Sequence, residues 1–155
     1  MQVHNATLLD ISSILDLLSD MHQEAELDNV NWIKVTHIVT DCIANGLVFL
    51  AVTDEGDLAG SIGGAVSTEW YADTPLLGDY WFFVRPEHRA SPAAFKLVKA
   101  WKEVAKKNDL EIKMGHVLGS DMDRKDQMFE KLGFEKLGSM YRKEKANGRD
   151  VRPDG

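Results

Sequence analysis

Residues 80–107 read YWFFVRPEHRASPAAFKLVKAWKEVAKK, and the fold turns on this stretch. Tyr80-Trp81-Phe82-Phe83-Val84 is a dense aromatic and β-branched run, which predicts a buried strand. Pro86 ends it, because proline has no N–H for the ladder. After a short turn through Glu87, His88, Arg89 and Ala90, Ser91 is placed to cap a helix and Pro92 to fill its first position. Ala94, Phe95, Val98, Trp101 and Ala105 then fall on one face at helical spacing. Strand, tight turn and helix N-terminus together form an anion site, since the free N–H groups of a first helical turn point outward.

Charge supports that reading. Residues 85–107 hold seven Lys/Arg (among them Arg85, Arg89 and Lys106) against Glu87 and Glu103, in a chain whose net charge is −7. A basic island in an acidic protein suits a polyphosphate ligand, although a solvated lysine face on an amphipathic helix gives the same count. The overall acidity argues against broad nucleic-acid binding, which requires phosphate neutralisation over a wide surface.

At 155 residues, with 44% hydrophobic and 28% charged residues, the composition is that of one soluble globular domain. The single cysteine, Cys42, excludes an intrachain disulfide framework and lies in an apolar helical pattern, as a small core residue would. No apolar run approaches a membrane span and no basic-then-apolar leader is visible, so the expected location is the cytoplasm, away from membranes.

Working outward, the pattern predicts a strand at residues 3–6 and helices at about 9–25 and 32–44, the second closed by Asn45-Gly46. Strands at 47–53 and 58–67 flank a hairpin turn at 54–57; Gly60, Gly63 and Gly64 mark a bulge or a close backbone approach in the second. Residues 68–78, with Trp70 and Tyr71, read as a loop. Beyond the central helix come a strand at 111–117, parallel to the central one, a turn, and a helix at 123–132 ended by Gly133. Two last strands are expected at 134–137 and 139–143. The domain then covers 1–144, with a polar tail at 145–155. Residues 1–30 hold six acids and no Lys or Arg.

This order, with Val84-Arg85-Pro86-Glu87-His88-Arg89 at its centre and Met128-Phe129-Glu130-Lys131-Leu132-Gly133-Phe134 near its end, resembles the GNAT superfamily of N-acetyltransferases. The first segment is similar to that family's V-x-P-x-x-R entry to the CoA loop, and the second to its more specific lYeklGF motif. The resemblance implies an α+β GNAT fold, a mixed sheet of about six to seven strands with about four helices. It implies acetyl-CoA as co-substrate, no metal, and transfer to the primary amine of a small molecule or protein by direct attack in a ternary complex. A homodimer is compatible with it.

Residue by residue, the resemblance assigns CoA binding to the backbone of Phe83 and Val84, to Arg89, Ala90, Ser91, Ala93 and Ala94, and to Phe129. In the family's Q/R-x-x-G-x-G/A loop, Arg89 and Ala94 match while Pro92 replaces the first glycine and removes one N–H donor. Phe129 stands where many members carry the tyrosine that protonates the thiolate, and Met122 where asparagine is frequent. The base candidates are Asp79, Glu69 and His116, and Tyr141 and Tyr80 are the substitute acids; Ser120 is a possible water ligand. The departures also allow a second reading, a GNAT-fold protein with weak or no catalysis that binds CoA or a protein partner. A nucleotide-binding regulatory domain is disfavoured because no Walker loop is present.

Overall fold

The computed structural model describes residues 1–115 and 121–146. The chain divides into two compact units, Met1–Asp121 and Met122–Gly155.

In the first unit β1 (Gln2–Asn5) leads through a short 3-10 turn, Leu8–Asp10, into α1 (Ile11–Glu24) and α2 (Trp32–Ala44). There follow β2 (Val48–Val52), β3 (Leu58–Thr68), β4 (Pro75–Val84), a 3-10 turn at Pro86–His88, α3 (Ala93–Lys107) and β5 (Glu111–Lys113). The sheet order is β1-β2-β3-β4-β5, antiparallel except for the parallel β4–β5 pair.

Strand β2 shows how both faces are filled. Val48 and Leu50 pack with Ile14, Leu18, Val39 and Cys42 of α1 and α2, whereas Phe49 and Ala51 pack with Leu97, Trp101 and Ala105 of α3. Alternate residues of one strand therefore meet helices on opposite faces, and the strand has no solvent side.

A bulge in β4 sets the register. Gly63 pairs with Trp81 and Gly64 with Asp79, which leaves Tyr80 as the extra residue. Leu77 and Val84, an odd number of residues apart, consequently share the α3 core, while Trp81 joins the α1–α2 core. The glycines of β3 make this approach possible. A Cβ on Gly63 would lie 2.1 Å from Trp81 Cζ2, and one on Gly64 would lie 1.9 Å from the Gly78 carbonyl oxygen.

Strand β4 begins at Pro75, so residues 75–78, read from sequence as loop, are strand. Proline is tolerated there because it occupies the first strand position. The buried stripe of α3 is Ala93, Leu97, Val98, Trp101 and Ala105, and Phe95 is 59% exposed instead of buried. Strand β5 is described over three residues.

In the second unit α4 (Met122–Lys131) ends in a Schellman cap. Phe134 N–H donates to Phe129 O, Gly133 N–H to Glu130 O, Gly133 has φ 92°, and the Phe129 and Phe134 rings meet edge-on at 5.8 Å. The motif that resembled a family signature is thus a helix stop with its usual apolar clasp. The strands expected at 134–137 and 139–143 are absent among the described residues, where the sheet has five strands in place of six to seven. Leu137, Met140 and Tyr141 are exposed, and no ladder covers them.

Candidate active site

Strand β5 pairs with β4 at Leu76, Leu77 and Gly78, and among the described residues the pairing stops there. Beyond Gly78, β4 continues to Val84, paired among the described residues with β3 alone. Arg85 N–H donates to Ala59 O, so strand alternation turns the backbone of Phe83 toward β3 and that of Phe82 and Val84 toward the edge where β5 has stopped. Val84 O on that edge accepts from Arg89 Nε at 3.0 Å. Phe83 contributes its ring, which lies under the Arg89 guanidinium at 5.5 Å.

The turn that follows places Arg89, Ala90, Ser91, Ala93 and Ala94 together. Ser91 Oγ donates to His88 O at 2.5 Å and accepts from Ala93 N–H at 3.3 Å. The helix begins at Ala93 with Pro92 as its cap residue, one position later than the sequence suggested, although Ser91 still supplies the capping oxygen. Lys96 N–H makes the first i to i−4 bond, to Pro92 O, so the N–H groups of Ala94 and Phe95 belong to the unbonded first turn.

Two ion pairs cross this turn that the sequence did not reveal. Arg85 Nη1 donates to Asp20 Oδ2, and Arg89 Nη2 donates to Glu24 Oε2 at 2.6 Å. Acids and arginines are each four residues apart, and that matching i, i+4 spacing was the available signal. Two of the six acids of residues 1–30 are thereby compensated by arginines.

Asp79 sits where β4 and β5 part. It is half-buried, and burial raises its carboxyl to about 6, opposed by its own backbone and by Gly115 N–H at 3.4 Å from Oδ1. Glu69 is committed to Lys113 Nζ at 2.8 Å, and that hydrogen bond, ahead of the charge of Glu69, holds the lysine above its ordinary range. Tyr80 is exposed on the bulge. His116 and Ser120 lie outside the described residues. Phe129 and Tyr141 belong to the second unit, and Tyr141 is 95% exposed. Cys42 is buried and its thiol is pushed up to about 11, as a core residue's would be.

A cavity of about 520 Å³ opens at the end of α1, lined by Ser19, His22, Glu26, Asp28 and Trp32 among others, with no Lys or Arg in its wall. His22 Nδ1 lies 2.6 Å from Leu18 O and must be the donor, so in the neutral ring Nε2 is an acceptor. Among the described residues no metal-binding cluster occurs, and no helix is long and apolar enough to cross a membrane.

Residues 11–134 match the acetyltransferase (GNAT) family. The chain belongs to that family. No curated protein matches it in sequence. Among solved structures, an aminoglycoside 6'-N-acetyltransferase from Acinetobacter baumannii is similar at 20% identity and TM-score 0.70, over 95% of this chain and 99% of the other. The corresponding enzyme from Acinetobacter haemolyticus has 18% identity and TM-score 0.69, over 95% and 100%. A ribosomal-protein-alanine N-acetyltransferase from Brucella melitensis has 14% identity and TM-score 0.67, over 93% and 99%. At these identities the likeness is one of fold. The five-stranded mixed sheet with four helices is accordingly the GNAT fold. Within this GNAT chain the parted β4–β5 pair and the turn into α3 adjoin through β4 itself.

Proposed function

We propose that the chain transfers an acetyl group from acetyl-CoA to a primary amine by direct attack in a ternary complex. The observation that carries this is that, among the described residues, β4–β5 pairing ends at Gly78 while β4 runs on toward the N-terminus of α3. The residues present fit the donor. The amides of Phe82 and Val84 line an edge for the pantetheine arm and the thioester oxygen, and the first turn of α3 with Ser91 and Arg89 offers N–H donors to phosphates. The family-derived assignment of Phe83 passes to its ring, which supports Arg89.

In the reaction the amine nitrogen attacks the thioester carbonyl carbon, the C–S bond breaks, and CoA leaves as thiolate. Asp79, titrating near 6, is ionised at neutral pH and accepts the proton the amine gives up, directly or through water. Tyr141 and Tyr80 remain the candidates for returning a proton to sulfur, and His116 remains a further base candidate. The acceptor enters beside α1 and α2, where the cavity walled by acceptor groups suits a cationic amine.

Acetyl-CoA turnover with a panel of small amines and amine-bearing peptides, read as thiol release, tests the proposal. Acetyl-CoA at ~100 times its dissociation constant should also stabilise the fold by about 2.7 kcal/mol. Stabilisation without thiol release from any acceptor would favour the second reading, a CoA-binding protein without catalysis, to which Phe129, Met122 and Pro92 already point.

A further inference from the structure

Ser61 is the one fully buried polar side chain among the described core residues, and it lies between two strands. Its Oγ donates to Phe49 O of β2 at 2.8 Å and accepts from Trp81 Nε1 of β4 at 3.0 Å. The bond chain thus crosses β2, β3 and β4 beside the bulge. Trp81 lies across Gly63, where no side chain would fit, and directly precedes Phe82, whose backbone turns to the edge away from β3. A buried hydroxyl costs free energy unless both its donor and acceptor capacities are used, and here both are. An apolar pair would fill the space as well without fixing the indole's rotation.

We infer that Trp81, held by Ser61, is a positioning residue for acetyl transfer: it locks the β4 bulge and thereby sets the Asp79 carboxyl and the Phe82 and Val84 amides relative to one another. The inference rests on the proposed acetyl transfer for its kinetic consequence, but the locked bulge is a property of the protein alone. The Asp79 carboxyl is shifted by burial, against hydrogen bonds from its own backbone and from Gly115 N–H, and no charged group among the described residues contributes. A change in Asp79 titration therefore reports how the bulge holds the carboxyl.

The test compares Ser61→Ala and Trp81→Phe with the natural protein, using both NMR titration of the Asp79 carboxyl and steady-state kinetics. Ser61→Ala is the smaller change and serves if Trp81→Phe does not fold. The expected result is an Asp79 midpoint that falls from about 6 toward the ordinary aspartate value, with kcat reduced at least about tenfold and KM for acetyl-CoA within about threefold. If the midpoint and kcat both stay at the natural values in a folded Ser61→Ala protein, the inference is overturned and the bond chain is only structural. If no amine is acetylated by the natural protein, the proposed function fails. The titration then decides the inference by itself: a moved midpoint supports it, an unmoved one ends it.

Discussion

Arg89 Nη2 and Glu24 Oε2 meet at 2.6 Å, and one helical turn earlier on α1 Asp20 meets Arg85. The arginine expected to face a phosphate is already paired with a carboxylate. It is also held by Val84 O and stacked on Phe83. Both partners of the pair are about one-third exposed, so it contributes on the order of 1 kcal/mol or less. Its larger effect is to cancel charge beside α3.

Replacing Glu24 with Gln should therefore tighten acetyl-CoA binding by about two- to fivefold at low salt, with the gain fading at ~0.5 M salt. Arg89→Glu should weaken binding by about tenfold or more, and Lys106→Glu, near the far end of α3, by no more than about threefold. Calorimetry at two ionic strengths measures all three. Equal losses at Arg89 and Lys106 would reduce the site to diffuse charge attraction.

Asp79 yields a prediction in stability as well as rate. Its folded pKa, about 6, lies above the ordinary 3.8, so the fold prefers the neutral acid. Below about pH 3 both folded and unfolded forms are protonated and there is no penalty. Between about 3 and 6 the unfolded carboxyl ionises first and stability falls, reaching a cost of about 3 kcal/mol above pH 6. Asp79→Asn should then be more stable than the natural protein above pH 6 and equal to it below about pH 3, as urea titrations at pH 3 and 7.5 would show. As a base, ionised Asp79 should make kcat/KM rise through about pH 6, and the Asn variant should lose about 10²–10⁴ in rate. A variant with the natural rate and pH profile would remove Asp79 from the mechanism.

Two glycines offer a stability test that is independent of any ligand. Gly63→Ala places a methyl 2.1 Å from the Trp81 ring, where neither can move without opening the bulge, so a loss of about 3 kcal/mol or more is expected. Gly138→Ala meets nothing within 4 Å and should change stability by less than about 0.5 kcal/mol. Denaturant unfolding of the two variants measures the contrast. Similar small effects would mean that the bulge is not closely packed.

Much of this fold was legible because it is written in local chemistry. Asn45-Gly46 stops α2 and Gly133 stops α4 through left-handed backbone, and a glycine before an apolar residue signals both. The turn from Arg89 to Ala94 was readable for the same reason. What escaped depends on register and on distant partners. Phe95 fits a helical stripe by spacing but lies one step off the face that Leu97 and Trp101 bury. Strand β4 reached back to Pro75 because β3 extends that far and supplies hydrogen bonds, which no local pattern encodes. The Asp20–Arg85 and Glu24–Arg89 pairs join residues 65 apart. Asp79 was named as a base candidate from its place near a strand end; its elevated carboxyl comes from burial that arises only in the assembled sheet.

Pro92 separates two views of the phosphate cradle. It lacks an N–H, while Ala93 N–H is engaged by Ser91 Oγ, so the nearest unbonded donors are those of Ala94 and Phe95. Pro92→Gly adds one donor and should tighten acetyl-CoA by about two- to fivefold, while costing some stability through unfolded-state entropy. Calorimetry paired with thermal unfolding separates the two effects. Unchanged affinity would show that Arg89 or water already fills the place.

The last step of the reaction, protonation of the thiolate, is where this chain departs furthest from its family. Phe129 has no proton to give, and its ring is clasped edge-on by Phe134 in the cap that ends α4. That clasp fixes the ring's direction, so Phe129→Tyr should keep the cap and extend a hydroxyl along the same axis. CoA thiol is only moderately basic, so solvent can protonate it at modest cost. General-acid help is typically worth ~10²–10⁴ in rate. Turnover in the natural protein should be slow, and Phe129→Tyr should raise kcat by about tenfold with an unchanged melting temperature. Tyr141, exposed to solvent, is the other candidate acid; Tyr141→Phe should lower kcat while acetyl-CoA affinity stays within about twofold. Rapid-mixing measurement of thiol release on the three proteins distinguishes these outcomes. If neither substitution alters the rate, proton transfer to sulfur does not limit turnover and both ring assignments fall.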